Sequence, residues 1–198
     1  MAIFPGSAIP SAVSDYEIDN SVRFDDDRNT KLARTPSVSG NRKTFTLSFW
    51  TKRGNLGLSN ARVLDARTSG TNEFDVIFYS TDQLWIYNYT GSYNLELKTT
   101  QVFRDISAWY HFVIKVDTTQ GTASDRVKVY VNGEQITAWA TETYPAQDYE
   151  FAVNQTGAEH SIGCYGGSDS YDYDGYLAEF YCIDGTALTP SSFGELDS

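Results

Sequence analysis

The sequence has little of what several functional classes require. Its 198 residues include only two cysteines, Cys164 and Cys182, too few for a disulfide framework or a four-ligand zinc site. Nothing in the opening MAIFPGSAIPSA reads as a secretory leader, so both are expected as reduced thiols of a protein made in a cytosol. In that setting the sequons at Asn88 and Asn154 are ascribed to chance. Basic residues are scarce: 15 Lys and Arg stand against 26 Asp and Glu, a net charge of −11. Holding a phosphate backbone needs a basic face, so nucleic acid is not an expected partner. No apolar run approaches the ~20 residues of a membrane-spanning helix, and no membrane span is expected. Helical periodicity is missing too, since no stretch keeps it for three turns.

What is present is aromatic and β-branched. Aromatic residues make up 15% of the chain, which excludes a disordered tail and supplies a core for one domain. Residues 1–20 carry Pro5, Gly6 and Pro10 among Ser and Ala and read as an extended arm; residues 21–198 read as one domain. Within the latter, short runs rich in Val, Ile, Phe, Tyr, Trp and Thr predict strands at 21–24, 44–52, 60–66, 73–80, 83–89, 93–99, 109–117, 125–131, 134–138, 160–165 and 175–183. Phe45, Leu47 and Phe49 alternate with Thr44, Thr46 and Ser48, and Val127, Val129 and Val131 with Arg126, Lys128 and Tyr130, so one face of each strand meets a core. Phe180 and Cys182 are assigned to that core. Asn132-Gly133 between two strands is the signal of a type I′ hairpin. Thr189-Pro190 predicts a single helical turn near the end of the chain. The fold class expected is all-β, a two-sheet antiparallel jelly-roll sandwich.

Three segments, in order, carry a resemblance. Phe45-Thr46-Leu47-Ser48-Phe49-Trp50-Thr51-Lys52 comes first. Trp109-Tyr110-His111-Phe112-Val113, followed by Val127-Lys128-Val129-Tyr130-Val131-Asn132-Gly133-Glu134, is the second. The third is Ile162-Gly163, then Gly175-Tyr176-Leu177-Ala178-Glu179-Phe180 and Ala187-Leu188-Thr189-Pro190. Together they resemble the laminin G-like, concanavalin A-like lectin/glucanase jelly rolls. More narrowly, the segments at 15–53 and 174–195 resemble the laminin G-like module of structural and tail-associated proteins of marine bacteriophages. That likeness implies a virion component: capsid decoration, tail or fibre.

The same sandwich carries glucanases, which set two carboxylates on one strand face in a Glu-x-Asp-x-x-Glu run. No predicted strand has such a run: Glu195-Leu196-Asp197 lies at the end of the chain, and Glu150, Glu159 and Glu179 are isolated. His111 and His160 have no Ser or Cys elbow beside them, so the chain is not expected to be an enzyme. The resemblance also implies a structural calcium held by an aspartate on the last strand, and that position is Ala178 here. Calcium elsewhere has Asp169, Asp172 and Asp174 as its candidate ligands, or Asp25-Asp26-Asp27, against the plainer reading of solvated acidic loops.

The segment 165–176 alternates tyrosine with aspartate between glycines. It is open to three readings: stacking planes and carboxylates for a sugar, a protein interface, or rings lying over a sheet edge. Trp50 and Trp109 are assigned to the core, whereas Trp139, in a polar stretch after the hairpin, is a candidate exposed anchor. The contact surface expected is therefore Trp139 and Tyr144 with Tyr171, Asp172 and Tyr173. Its partner is a host-surface glycan, another virion protein or a further copy of the chain. Three functions stay open at this point: a non-catalytic adhesion module, a pure assembly module that touches no sugar, and a glycan hydrolase.

Overall fold

A computed structural model describes residues 20–28, 30–69, 71–166 and 171–194. Of the proposed arm only Asn20 falls within them, and Asp169 lies outside. The strands are β1 (Val22–Phe24), β2 (Leu32–Arg34), β3 (Thr44–Arg53), β4 (Ala61–Ser69), β5 (Asn72–Phe78), β6 (Gln83–Tyr89), β7 (Tyr93–Val102), β8 (Tyr110–Asp117), β9 (Val127–Val131), β10 (Glu134–Gln135), β11 (Trp139–Thr143), β12 (Glu159–Ile162) and β13 (Gly175–Asp184). They pair into a six-stranded sheet, β1-β13-β3-β8-β9-β10, and a seven-stranded sheet, β11-β7-β6-β5-β4-β12-β2. This is the antiparallel two-sheet sandwich the sequence predicts. Among the described residues no helix is long and apolar enough to cross a membrane.

Alternation explains how the layers close. On β3, Phe45, Leu47 and Phe49 turn inward and are fully buried, as are Val127 and Val129 on β9. Facing them from the other sheet are Phe74, Val76 and Phe78 of β5 with Leu84 and Ile86 of β6. Aromatic edges bridge the layers: Phe45 meets Phe74 and Phe151 at 5.9 Å each, and Phe78 meets Phe112 at 6.0 Å. At the hairpin, Asn132 and Gly133 take φ of 48° and 85°, as a type I′ turn demands. Two strands were not foreseen. β2 is only three residues long, and β11 is an edge strand whose pairing slips between Trp139 and Thr141.

The outer face of the six-stranded sheet is roofed by the residues after β13. Thr46 donates its hydroxyl to the Thr186 carbonyl at 2.7 Å and accepts the Leu188 N–H at 2.8 Å, and Pro190–Ser192 forms the expected single turn. Trp50 belongs to this outer face, stacked on His111 at 4.8 Å, and Trp109 is exposed beside Tyr176. Neither indole is in the core, contrary to the sequence reading: Trp50 takes the outward phase of β3, and Trp109 precedes β8 on the exposed surface.

β13 carries a bulge between Ala178 and Tyr181, with Glu179 at φ 48°, a left-handed backbone that a non-glycine residue adopts only under constraint. The extra residue delivers Phe180 inward, where it stacks on Phe49 at 5.5 Å, and sets Cys182 opposite Leu47. Phe180 is half-buried against the core, but Cys182 is exposed, a correction to its core assignment. The cause is that the layers stand apart here, so an inward position faces a cavity rather than a neighbour. Both cysteines are free thiols, as expected. Phe45→Ala should therefore cost about 3–5 kcal/mol in urea unfolding, and Cys182→Ser under about 1 kcal/mol. Equal losses would contradict this division of the inner face.

Candidate functional site

Because Phe74, Val76, Leu84 and Ile86 face inward, the residues between them on β5 and β6 face out, and register then fixes what meets on the outer face of the seven-stranded sheet. One row runs Ser161, Asp65, Asp75, Tyr87, Glu96, Thr143 across six strands. A second runs Glu159, Arg67, Glu73, Tyr89, Tyr93, and a third runs Arg62, Ile77, Trp85, Lys98, Thr141. Charge gathers at the β12-β4-β5 end and aromatic rings at the β6-β7 end.

The charged end is buried. Arg62 donates to Asp75 at 2.8 Å and to the Tyr87 hydroxyl at 3.0 Å; Arg67 donates to Asp65 at 2.6 Å and to Glu73 at 2.7 Å. Tyr165 covers both guanidiniums, 3.6 Å from Arg67 and 4.4 Å from Arg62, while Tyr171 lies 5.1 Å from Arg62. Backbone bonds from Gly166 N–H to Asp65 (2.7 Å) and from Arg62 N–H to the Tyr171 carbonyl (3.1 Å) anchor both flanks of the tyrosine-aspartate segment on β4. Burial pushes the Asp75 carboxyl up to about 7 against the pull of Arg62, and it raises Glu73 despite Arg67. Burial alone would lower the two arginines, but Asp75 beside Arg62 and Asp65 beside Arg67 hold both above the ordinary guanidinium range. Three carboxyls and two guanidiniums leave one excess negative charge when all are ionised, and the raised Asp75 carboxyl takes up a proton as pH falls through about 7 to relieve it.

The aromatic end is more open. Trp85 packs on Tyr87 at 4.6 Å, Tyr79 at 5.3 Å and Tyr93 at 5.8 Å, and Tyr93 is 43% exposed. Lys98 lays its ammonium 4.2 Å from the Trp85 ring and 4.3 Å from Tyr79. Trp85 Nε1 has no hydrogen-bond partner among the described residues, nor do Asp65 Oδ1, Asp75 Oδ2 and Arg62 Nη1 beside it. Rings with reachable faces next to a fixed polar network are what a polyhydroxylated ligand requires: apolar C–H faces stack, and hydroxyls bond at the margin.

The residues singled out in the sequence flank this face rather than form it. β11 borders it, with Thr141 and Thr143 outward, but Trp139 pairs with Thr99 and turns half-buried onto the core, as does Tyr144. Tyr171 is exposed above Arg62. Tyr173 is a correction: it is fully buried in the core, its hydroxyl bonded to Thr51 and the Lys52 carbonyl, so no surface partner reaches it. Asp172 is buried as well. The sequence signal for this aromatic face is the spacing Trp85-x-Tyr87-x-Tyr89, an aromatic phase on a strand whose other phase is apolar.

Calcium fits neither the last-strand position that the resemblance implies nor Asp174 of the acidic loop. Ala178 offers no oxygen, and the buried Asp174 is held by Arg23 at 2.9 Å and by the Asn55 N–H at 3.0 Å. Burial would raise the Asp174 carboxyl, but the bonds from Arg23, the Asn55 N–H and Asp26 together outweigh it and hold the group below the ordinary range. Asp65, Glu73 and Asp75 bring their oxygens within 4.8 Å of one another, yet Arg62 and Arg67 already stand where a cation would.

Asp75 also fixes a pH dependence. From about pH 4 to about pH 7 the folded protein keeps a proton on Asp75 that the unfolded chain releases, so this contribution to stability is full at low pH and lost as pH rises through 7. Relative to Asp75→Asn, the wild type should lose urea stability between about pH 4 and about pH 7 and change little above that. An unchanged difference would contradict the protonated Asp75.

The family model described as the concanavalin A-like lectin/glucanases superfamily matches residues 26–192. No curated protein gives a significant match. Among solved structures, a native heptameric SAP-like pentraxin from Limulus polyphemus is 16% identical with a TM-score of 0.60, over 87% of this chain and 78% of its own. Domain 4 of AbnA, an extracellular GH43 arabinanase from Geobacillus stearothermophilus solved with arabinotriose, is 14% identical at 0.57, covering 87% and 84%. The CBM40 of Ruminococcus gnavus IT-sialidase, bound to α2,3-sialyllactose, is 14% identical at 0.54, covering 83% and 96%. At such identities the likeness is one of fold. With that fold, the motif order and the match to residues 26–192 in agreement, the chain belongs to the concanavalin A-like lectin/glucanases superfamily.

Proposed function

We propose that this protein is a non-catalytic carbohydrate-binding module of a bacteriophage particle, and that it takes glycans on the outer face of its seven-stranded sheet. The observation that carries the binding is the open aromatic surface of Trp85, Tyr89, Tyr93 and Lys98 set against the Arg62–Asp75 and Arg67–Asp65 pairs. Neighbours of the same fold solved with arabinotriose and with sialyllactose support the ligand class. Support for a place in the virion comes from the resemblance of segments 15–53 and 174–195 to phage structural modules.

A hydrolase is the second reading, because Asp65, Glu73 and Asp75 are clustered and Asp75 is pushed up to about 7, the pattern of an acid beside a carboxylate. Against it, Asp65 and Asp75 are fully buried and all three carboxyls are engaged by arginines. On a glycan array, Trp85→Ala and Tyr93→Ala should each lose about 2 kcal/mol of binding, while the fold survives. Unchanged binding in both would remove this face. Oligosaccharide turnover that disappears in Asp75→Asn would replace binding by catalysis.

A further inference from the structure

The layers part at the edge where β2 and β12 of one sheet face β13 of the other, leaving a cavity of about 620 Å³. That volume lies within the roughly 300–1,000 Å³ of small-molecule sites. Its apolar lining has Leu47 and Phe180 on one side and Leu64, Ile162 and Leu32 on the other, with Arg34, Asn154, His160 and Asp184 also on its walls. A smaller groove of about 260 Å³ shares Leu32, Ile162 and Phe180 and continues the slot toward Val22 and Phe24. Three aliphatic side chains ring the openings in contact with water: Val38 is 77% exposed, Leu32 51% and Val22 44%.

The polar groups of the cavity are mostly satisfied internally. His160 is neutral, held below its ordinary range chiefly by burial; its Nδ1–H donates to the Ala158 carbonyl and its Nε2 accepts the Asn154 N–H, both at 3.0 Å. Burial pushes the Cys182 thiol up to about 11, so it stays protonated. Asp184 accepts from the Asn41 N–H at 2.6 Å and from the Asn154 amide at 3.2 Å. Arg34 is different. It lines the same cavity across from His160 on the paired strand, and its charge acts on both His160 and Cys182. It makes no hydrogen bond or ion pair within the described residues, in a chain whose net charge is −11.

We propose that this slot binds a medium-chain acyl carboxylate, its chain between Leu64, Ile162 and Phe180 and its head group on Arg34. The aliphatic and aromatic lining favours a hydrocarbon chain, and Arg34, without a partner among the described residues, favours an anionic head, which it can hold through two parallel N–H bonds. The site is separate from the glycan face, since it opens between the sheets.

Cys182 reports on occupancy because it is exposed in the cavity wall, whereas Cys164 is buried and serves as the internal control. At about pH 9, where a small fraction of the Cys182 thiol is ionised, iodoacetamide labelling of the whole protein, read by mass spectrometry, should slowly modify Cys182, and submicellar dodecanoate should suppress that reaction while dodecyltrimethylammonium does not. By calorimetry, Arg34→Gln should weaken dodecanoate about tenfold, the loss of one charge-assisted contact. Ile162→Trp should fill the slot and abolish binding, and Val38→Trp at the exposed rim does so without depending on the core. Labelling that dodecanoate leaves unchanged, equal binding of the ammonium amphiphile, or full affinity in Arg34→Gln would each overturn the proposal.

Discussion

The pairing of Arg62 and Arg67 with three carboxyls on neighbouring strands is the constraint around which the outer face of the seven-stranded sheet is arranged. Charges so far from water are stable only as a closed set: removing one partner of a buried pair typically costs about 3–5 kcal/mol because the other is stranded. The set must also be roofed, and Tyr165 and Tyr171 provide the roof by laying ring faces over the guanidiniums. That in turn pins both flanks of the tyrosine-aspartate segment on β4. The roof stops short of β6 and β7, so Tyr93 is left exposed and Trp85 beside it is only partly covered. Rigid support beneath an open aromatic surface is the arrangement that binding sites favour, because little motion has to be lost when a ligand arrives.

On the inner side a different constraint operates. The phenylalanines of β3, β5 and β8 fill the space between the layers, and Arg53 is buried among them because Asp82 and the Phe103 carbonyl accept its N–H bonds while Phe78 lies 4.4 Å from the guanidinium. Burial would raise the Asp82 carboxyl, but bonds from the Gly57 N–H, Arg104 and Arg53 overcome it and keep the group ionised. Toward β13 the packing thins. The bulge at Glu179 restores the inward phase for Phe180 and Cys182, yet β2 and β12 across from them are too short to close the layer. One edge of the sandwich is consequently a slot.

Alternation made the sandwich legible: Phe45, Leu47, Phe49, Val127 and Val129 lie where a period of two puts them, and Asn132-Gly133 turns as its backbone requires. The site was harder to read because outward and inward aromatics look alike in one strand. Trp85, Tyr87 and Tyr89 gain meaning only once Asp75 and Glu73 on β5 are known to stand beside them, and that is a matter of register between strands. Tyr173 was misjudged for the same reason. Its acidic, glycine-flanked neighbours suggest a surface loop, but its hydroxyl reaches Thr51 from inside the core. Trp139 shows a milder version, since its polar surroundings conceal an edge strand that borders the face it was expected to form.

The central claim is that ligand recognition belongs to the β6-β7 end of the seven-stranded sheet. Its most direct test is an amide chemical-shift map of the isotope-labelled protein, titrated with the oligosaccharide that binds best on a glycan array. The account predicts that the largest shifts cluster at Trp85, Tyr89, Tyr93 and Lys98 and fade toward β2. Shifts confined to Trp109 and Tyr176, on the outer face of the six-stranded sheet, would contradict it.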